Sequence, residues 1–310
     1  MRYSSPLRYP GGKSRIANFI KLLMAKNGLV GGEYAEPYAG GAGVALFLAI
    51  EGYARRVHIN DLDQAIYAFW HAVVKSPDAL CELIKNTEVT IDEWKRQKAI
   101  QQELRKTSLN KEELLRLGFS TFFLNRTNRS GIIRGGGVIG GLEQNSKWGI
   151  DSRYYADTLI ERIKRIANHR DLIRIYNWDA VKFLRKKVPQ LPGRSLIYLD
   201  PPYVENGDNL YQNDYTFKDH RDVAEAVHET SASWIVSYDN SKSVNDLYKN
   251  YDSIVYDLSY SARRRYQGSE IMFMSNDLTL PEFEHPTEVT KDQLQEAISK
   301  SQQIEPRNAK

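Results

Sequence analysis

Residues 200–203, Asp-Pro-Pro-Tyr, directly follow the apolar run SLIYL. Two consecutive prolines remove two backbone donors and stiffen the turn. They also leave the carbonyls of Asp200 and Pro201 outside any strand ladder. A carboxylate, a fixed carbonyl and a tyrosine ring at a strand end suit a planar amino group. Asp200 and a carbonyl accept its two hydrogens while Tyr203 stacks on the ring. The exocyclic nitrogen of adenine is a poor nucleophile because its lone pair is delocalised. Two fixed acceptors favour its tetrahedral form, whose lone pair can attack a methyl group in line. Such chemistry rests on positioning and electrostatic preorganisation and needs neither metal nor covalent intermediate.

Residues 36–43, Glu-Pro-Tyr-Ala-Gly-Gly-Ala-Gly, add a second constellation. Glycines let backbone approach a ligand closely and turn into a helix. Asp61 stands about 20 residues on, where an acid can hold a ribose hydroxyl pair. Helix-terminal amides would suit the carboxylate of a methionine moiety. Residues 7–14, LRYPGGKS, contain Gly-Lys-Ser but are not a P-loop, because Leu7 stands where that pattern needs glycine. Lys13 could still pair with a cofactor carboxylate. A third constellation, Asn125, Arg126, Asn128, Arg129 and Arg134, with Gly135–Gly137, Gly140 and Gly141, has the residue types that meet phosphates and base edges. A flexible arm of this kind could fill the gap left by an extruded base. Adenine's amine is paired inside a duplex, so acting on it requires flipping the base out.

These residues need a scaffold. Residues 14–25 have helical apolar spacing, a short strand ends at 36–38, residues 44–51 suit a helix, and 55–59 suit a strand ending at Asn60-Asp61. Strand, glycine turn, helix, strand and acid form the first half of a nucleotide-binding βαβ unit. Residues 91–117 read as charged helix with Trp94 inside. Residues 118–149 read as a long loop or hairpin, a length that in enzymes usually carries function. Residues 154–168 are helical in pattern. Strand patterns return at 172–176, 195–199, 233–237, 253–258 and 270–274. The pattern predicts an α/β fold with a mostly parallel sheet covered on both faces, binding at the carboxyl ends of its strands. From Pro281 the chain turns polar, and 290–303 suits a helix in a tail.

Composition sets outer bounds. In 310 residues with a net charge of +4, a nucleic-acid partner is permitted without being demanded. No apolar run approaches the roughly 20 residues of a membrane span, and residues 1–15 show no secretory h-region. The single cysteine, Cys81, rules out an intramolecular disulfide framework or a cysteine-cluster metal site. The expectation is a reduced, cytoplasmic protein without metal.

Together the motifs resemble the Dam-type adenine-N6 DNA methyltransferases in their α arrangement: cofactor motifs, then recognition insert, then Asp-Pro-Pro-Tyr. The resemblance spans about Ser5 to Asn276. It rests on residues 8–13, 36–41, 60–61, 122–127 and 200–203. It implies a Rossmann-like S-adenosylmethionine-dependent methyltransferase fold with a mainly helical target-recognition insert. The catalytic domain would be 1–75 and 170–280, the insert with its DNA-contacting hairpin 76–169, and the polar C-terminal tail 281–310. The implied activity is site-specific methylation of a flipped adenine in double-stranded DNA, with S-adenosyl-L-methionine as cofactor and no membrane partner. Any restriction or defence partner is left unspecified. Tyr9, Lys13, Glu36, Tyr38 and Asp61, with Pro37 and Gly40 of the same motif, would line the cofactor pocket, and Asp179 matches the acid that meets the cofactor's adenine. Asp200 and Tyr203, joined by Pro201 and Pro202, would hold the target adenine. Arg129, Ser130 and Arg134, with Asn128, fall where the family's hairpin enters DNA. Ser237–Asn240 would shape the base pocket, and Arg263–Arg265, centred on Arg264, would meet phosphates. Arg129 replaces a residue often aromatic and glycines follow Arg134, so the family's target sequences do not transfer. Competing readings are methylation of RNA adenine or of a protein amide, and a DNA-binding regulator without turnover. Amide methylation usually comes with Asn in place of Asp200, and intact Asp200, Tyr203 and Lys13 argue against the silent regulator.

Overall fold

A computed structural model describes residues 5–8, 13–104, 108–202, 215–260 and 266–304. A 3-10 turn (Lys13–Ile16) leads into α1 (Ala17–Lys26), β1 (Gly32–Glu36), α2 (Gly43–Ile50) and β2 (Ala54–Asn60). Helices α3 (Gln64–Lys75), α4 (Pro77–Asn86), α5 (Ile91–Glu103), α6 (Lys111–Thr127) and α7 (Ala156–Ala167) precede β3 (Ile173–Tyr176). Then come α8 (Ala180–Lys186), β4 (Ser195–Leu199), α9 (Phe217–His228), β5 (Ser233–Asp239), α10 (Lys242–Leu247), β6 (Asp252–Tyr260), β7 (Tyr266–Met274) and α11 (Lys291–Ile304). The chain divides into two compact units: residues 1–12, 40–42 and 61–177, and residues 13–39, 43–60 and 178–310.

The second unit carries a sheet in the order β2-β1-β4-β5-β7-β6, and β3 belongs to the first unit. Strands β2, β1, β4 and β5 pair in parallel, with Tyr34 opposite Val57 and Leu196, and Leu199 opposite Val236. Every residue of β1 and β4 is buried, as expected of central strands covered on both faces. This is a Rossmann-like arrangement of parallel strands. The far edge departs from a parallel sheet: β7 runs antiparallel to both β5 and β6. Five residues separate β6 from β7, too few for the crossover that a parallel pair needs. The polar stretch after Pro281 is packed rather than loose. Phe283 meets Phe19 of α1 edge-on at 4.9 Å, Asn18 Nδ2 donates to the Val289 carbonyl at 2.9 Å, and Leu294 is buried.

The first unit is helical. Asp63 caps α3, accepting from the Ala65 amide at 2.9 Å, and Asn110 and Glu113 form a reciprocal capping box on α6. Helix α6 runs ten residues past the expected boundary at 117. Its C-terminal half looks like loop because Gly, Ser, Thr and Asn dilute the apolar pattern. In the fold those polar groups are satisfied internally. Thr121 and Thr127 hydroxyls donate to the Leu117 and Phe123 carbonyls at 2.8 Å, and Gln101 of α5 donates to Ser120 and Thr121. Phe122 stacks on Phe69 at 6.3 Å and meets Tyr154 edge-on at 5.6 Å.

Gly118 lies at a close approach of α3 and α6. A Cβ there would sit 2.5 Å from the Ala68 carbonyl oxygen. Alanine is worth about 1 kcal/mol over glycine in an unconstrained helix interior. Gly118→Ala is nevertheless expected to destabilise this unit by about 1–3 kcal/mol, read as a lower denaturant midpoint at unchanged slope. A gain in stability would mean that this contact does not set the helix spacing.

Candidate active site

Strand β4 delivers Asp200 at its carboxyl end, and Pro201 and Pro202 stop the ladder there. Lys13, in the 3-10 turn before α1, is buried, with Nζ 3.0 Å from Asp200 Oδ1 and 3.1 Å from Glu270 Oε1. Glu270 lies on β7, and its Oε2 accepts from Tyr256 Oη of β6 at 2.6 Å. Ser237, on β5 beside β4, donates to Asp200 Oδ1 at 3.2 Å and shares a 2.7 Å hydrogen bond with Tyr198. Burial pushes the Asp200 carboxyl above its usual range, Lys13 opposes this, and Glu270 adds to it. Burial alone would favour a neutral Lys13, yet the Asp200 carboxylate beside it, with Tyr198, Glu270 and Tyr256 also contributing, outweighs it and raises the ammonium well above the lysine range.

The end of β1 supplies the next layer of this unit. Glu36 Oε1 accepts from the Ala45 amide in the first turn of α2 at 3.0 Å and from Tyr34 Oη at 3.1 Å. Burial lifts the Glu36 carboxyl to about 8 against those two hydrogen bonds, with the charge of Asp200 contributing. Tyr38 Oη hydrogen-bonds Tyr215 Oη at 2.7 Å, ring against ring edge. Asn60, ending β2, donates to the carbonyls of Pro37 and Trp178 and accepts from the Trp178 amide, each at 2.9 Å. It thereby fixes the turn after β1 to the residue before Asp179. Asp179 is exposed and caps α8 through the Lys182 amide at 3.1 Å.

Within the first unit, the Gly40 amide donates to Asp61 Oδ2 at 2.8 Å and the Asp63 amide to Oδ1 at 2.9 Å. Burial, with the charge of Asp63, raises Asp61 to about 7. Asp63 also pairs with Arg134 at 2.9 Å. After α6 the chain closes a hairpin: Asn128 bridges Val138, and the Arg129 amide donates to the Gly137 carbonyl at 2.9 Å. Asn125, fully buried, accepts from the Arg8 amide and donates to the carbonyls of Arg8 and Gly131. Asn128 was expected to face DNA, but it is fully buried. It accepts from Trp94 Nε1 at 2.7 Å and donates to the Ile132 and Ile133 carbonyls, so it shapes the hairpin from inside. Arg126 is likewise buried, bonded to the Pro6 carbonyl, and burial with repulsion from Arg8, Arg162 and Arg153 lowers it to about 9. Arg129 is exposed, while Ser130 beside it takes a left-handed φ of 55°, a strained choice for a non-glycine residue.

The structure thus joins Lys13 to Asp200 in one unit and Gly40 to Asp61 in the other. Lys13, expected on a cofactor carboxylate, is paired in this structure with Asp200 and Glu270. Tyr9, Tyr203 and Arg264 lie outside the described residues. Glu270 and Tyr256 escaped the sequence reading because each sits alone in a strand with no motif around it, and Tyr198 because it reads as part of the strand before Asp200. Asn60 was visible in its motif, but its clamp needs Trp178, over a hundred residues away. Among the described residues no group of three His, Cys, Asp or Glu is placed to hold a metal ion, and no helix is long and apolar enough to cross a membrane.

The Glu36 carboxyl yields a pH test. Its folded value near 8 exceeds its ordinary 4.5, so the stability it contributes is full below about 4.5 and is lost as pH rises through about 8. Glu36→Gln keeps the acceptor without the charge. Its melting temperature should match wild type near pH 5 and exceed it progressively toward pH 8.5. A constant difference across that range would refute the assignment.

A family model described as D12 class N6 adenine-specific DNA methyltransferase matches residues 9–262. The Type II methyltransferase M.MjaIII of Methanocaldococcus jannaschii is 23% identical over 227 residues, which cover 70% of this chain and 74% of that protein. Among solved structures, the rRNA methyltransferase aviRa of Streptomyces viridochromogenes is 12% identical over 87% of each chain, with a TM-score of 0.38. Protein LPL1258 of Legionella pneumophila is 11% identical over 94% of each, with a TM-score of 0.30. With most of its length matched and Asp200 seated at the end of β4, this chain belongs to the D12 class of N6 adenine-specific DNA methyltransferases.

Proposed function

We propose that the chain transfers a methyl group from S-adenosylmethionine to the exocyclic amine of an adenine turned out of double-stranded DNA at a specific sequence. The observation that carries this reading is how Asp200 is held. Lys13 and Ser237 both engage Oδ1, and among the described residues no partner engages Oδ2. One oxygen is anchored, and the other is left to accept from a substrate amine.

The donor set suits the cofactor. In the sheet unit Glu36 offers a carboxyl group, Tyr38 a ring and exposed Asp179 an acceptor for an adenine amine; in the helical unit Asp61 offers a carboxyl group for a ribose diol. Bound S-adenosylmethionine supplies an electrophilic methyl: the amine lone pair forms the C–N bond, the S–C pair stays on sulfur, and one amine proton is lost. Asp200 Oδ2 orients the amine, withdraws it from conjugation and takes up its departing proton. Its raised affinity for protons suits that task. Arg129, at the exposed turn of the hairpin, and Arg134 with Ser130 are the residues assigned to DNA.

The test is base-modification sequencing of DNA from cells expressing wild type or Asp200→Ala, with purified kinetics alongside. A methylated-adenine motif present only with wild type is expected. The purified variant, with its fold checked by circular dichroism, should lose at least about 100-fold in kcat. Labelled methyl transfer to RNA with none to DNA would overturn the DNA reading, and no transfer to any substrate would favour a silent DNA-binding regulator.

A further inference from the structure

Lys13 has two carboxylates, and only one belongs to the motif that does the chemistry. Glu270 is 1% exposed and meets Lys13 Nζ at 3.1 Å through Oε1, while Tyr256 fixes its Oε2 at 2.6 Å. A lone ammonium beside Asp200 would work against methyl transfer. Positive charge develops on the amine nitrogen as the C–N bond forms, and an acceptor neutralised by a neighbouring cation stabilises that charge less. A second carboxylate on the same ammonium reverses this balance, since two carboxylates and one ammonium leave one net negative charge. Among the described residues, the other groups facing the cluster include Tyr34 and Glu36 of β1, Tyr198 of β4, Ser237 of β5 and Tyr256 of β6. Burial holds those tyrosines protonated, and Glu36 is lifted to about 8. Glu270, paired with the Lys13 ammonium and fixed by Tyr256, is therefore the group placed to supply the second charge.

We propose that Glu270 is a positioning residue for methyl transfer, holding Lys13 so that Asp200 Oδ1 stays anchored and the Lys13–Asp200–Glu270 triad stays anionic beside the reacting amine. The proposal rests on the methyl-transfer reading above. Tyr256 acts one step further out, by orienting Glu270.

The experiment is steady-state kinetics of the full chain as a function of pH, with equilibrium binding of cofactor and DNA, for wild type, Glu270→Gln, Glu270→Asp and Tyr256→Phe. Glu270→Gln should lower kcat about 10- to 100-fold while both dissociation constants stay within about twofold. Both limbs of the kcat–pH profile should move to lower pH, because Asp200 and Lys13 each lose a neighbouring negative charge. Glu270→Asp should restore part of kcat, and Tyr256→Phe should show a smaller loss of the same kind. Wild-type kcat and profile in Glu270→Gln would overturn the proposal. So would a loss in which both affinities and the melting temperature fall together while the pH limbs stay put, since that describes packing alone. Failure of wild type to methylate any DNA would instead overturn the functional reading itself.

Discussion

A lysine buried between two carboxylates is the constraint around which the sheet unit is organised. Withdrawing one ion from water costs several kcal/mol, and attraction offsets that cost only with good geometry and satisfied lone pairs. Lys13, Asp200 and Glu270 meet this condition because five segments deliver partners: the turn before α1, the end of β4, Ser237 of β5, Tyr256 of β6 and Glu270 of β7. Removing any one partner would leave a buried charge short of a contact. The antiparallel β6–β7 edge thus has chemical meaning, since it brings two polar side chains to a cluster that the parallel strands alone would leave incomplete.

The remaining acids of the expected cofactor set share a feature. Glu36 and Asp61 are each held by backbone amides, from Ala45 and from Gly40 and Asp63. Both are nonetheless shifted upward by burial. A carboxyl lifted toward neutrality can accept from or donate to a polar ligand according to its protonation, and such perturbed groups gather at functional sites. In the helical unit, by contrast, buried polar groups are spent on architecture. Asn125 and Asn128 use their amides to shape the hairpin from within, leaving Arg129 exposed on its turn.

Much of this was readable in the sequence, for a local reason. Asp200-Pro201-Pro202 ends a buried strand because proline cannot continue a ladder, and SLIYL is mostly apolar. The glycine turn at 40–43, the βαβ start and Asp61 follow from short-range spacing. The resemblance carried by five ordered motifs led to the family that the wider comparison supports. What failed was polar sequence that turns out to be buried. Residues 118–127 read as loop because glycine, serine and threonine dilute the helical stripe, yet their hydroxyls bond back along the helix and Gly118 admits α3. Asn128 read as a DNA contact because asparagine so often is one, until Trp94 and two carbonyls claimed its amide.

The sequence by itself determined which residues stand at strand ends, since hydrophobic period and proline placement act over a few residues. The tertiary structure alone decided what those residues touch. Lys13 and Glu270 are 257 residues apart, and nothing within reach of either predicts the other. Their pairing exists because strand order brings β7 beside β5 and because a buried ammonium must find carboxylates close enough to offset its lost hydration.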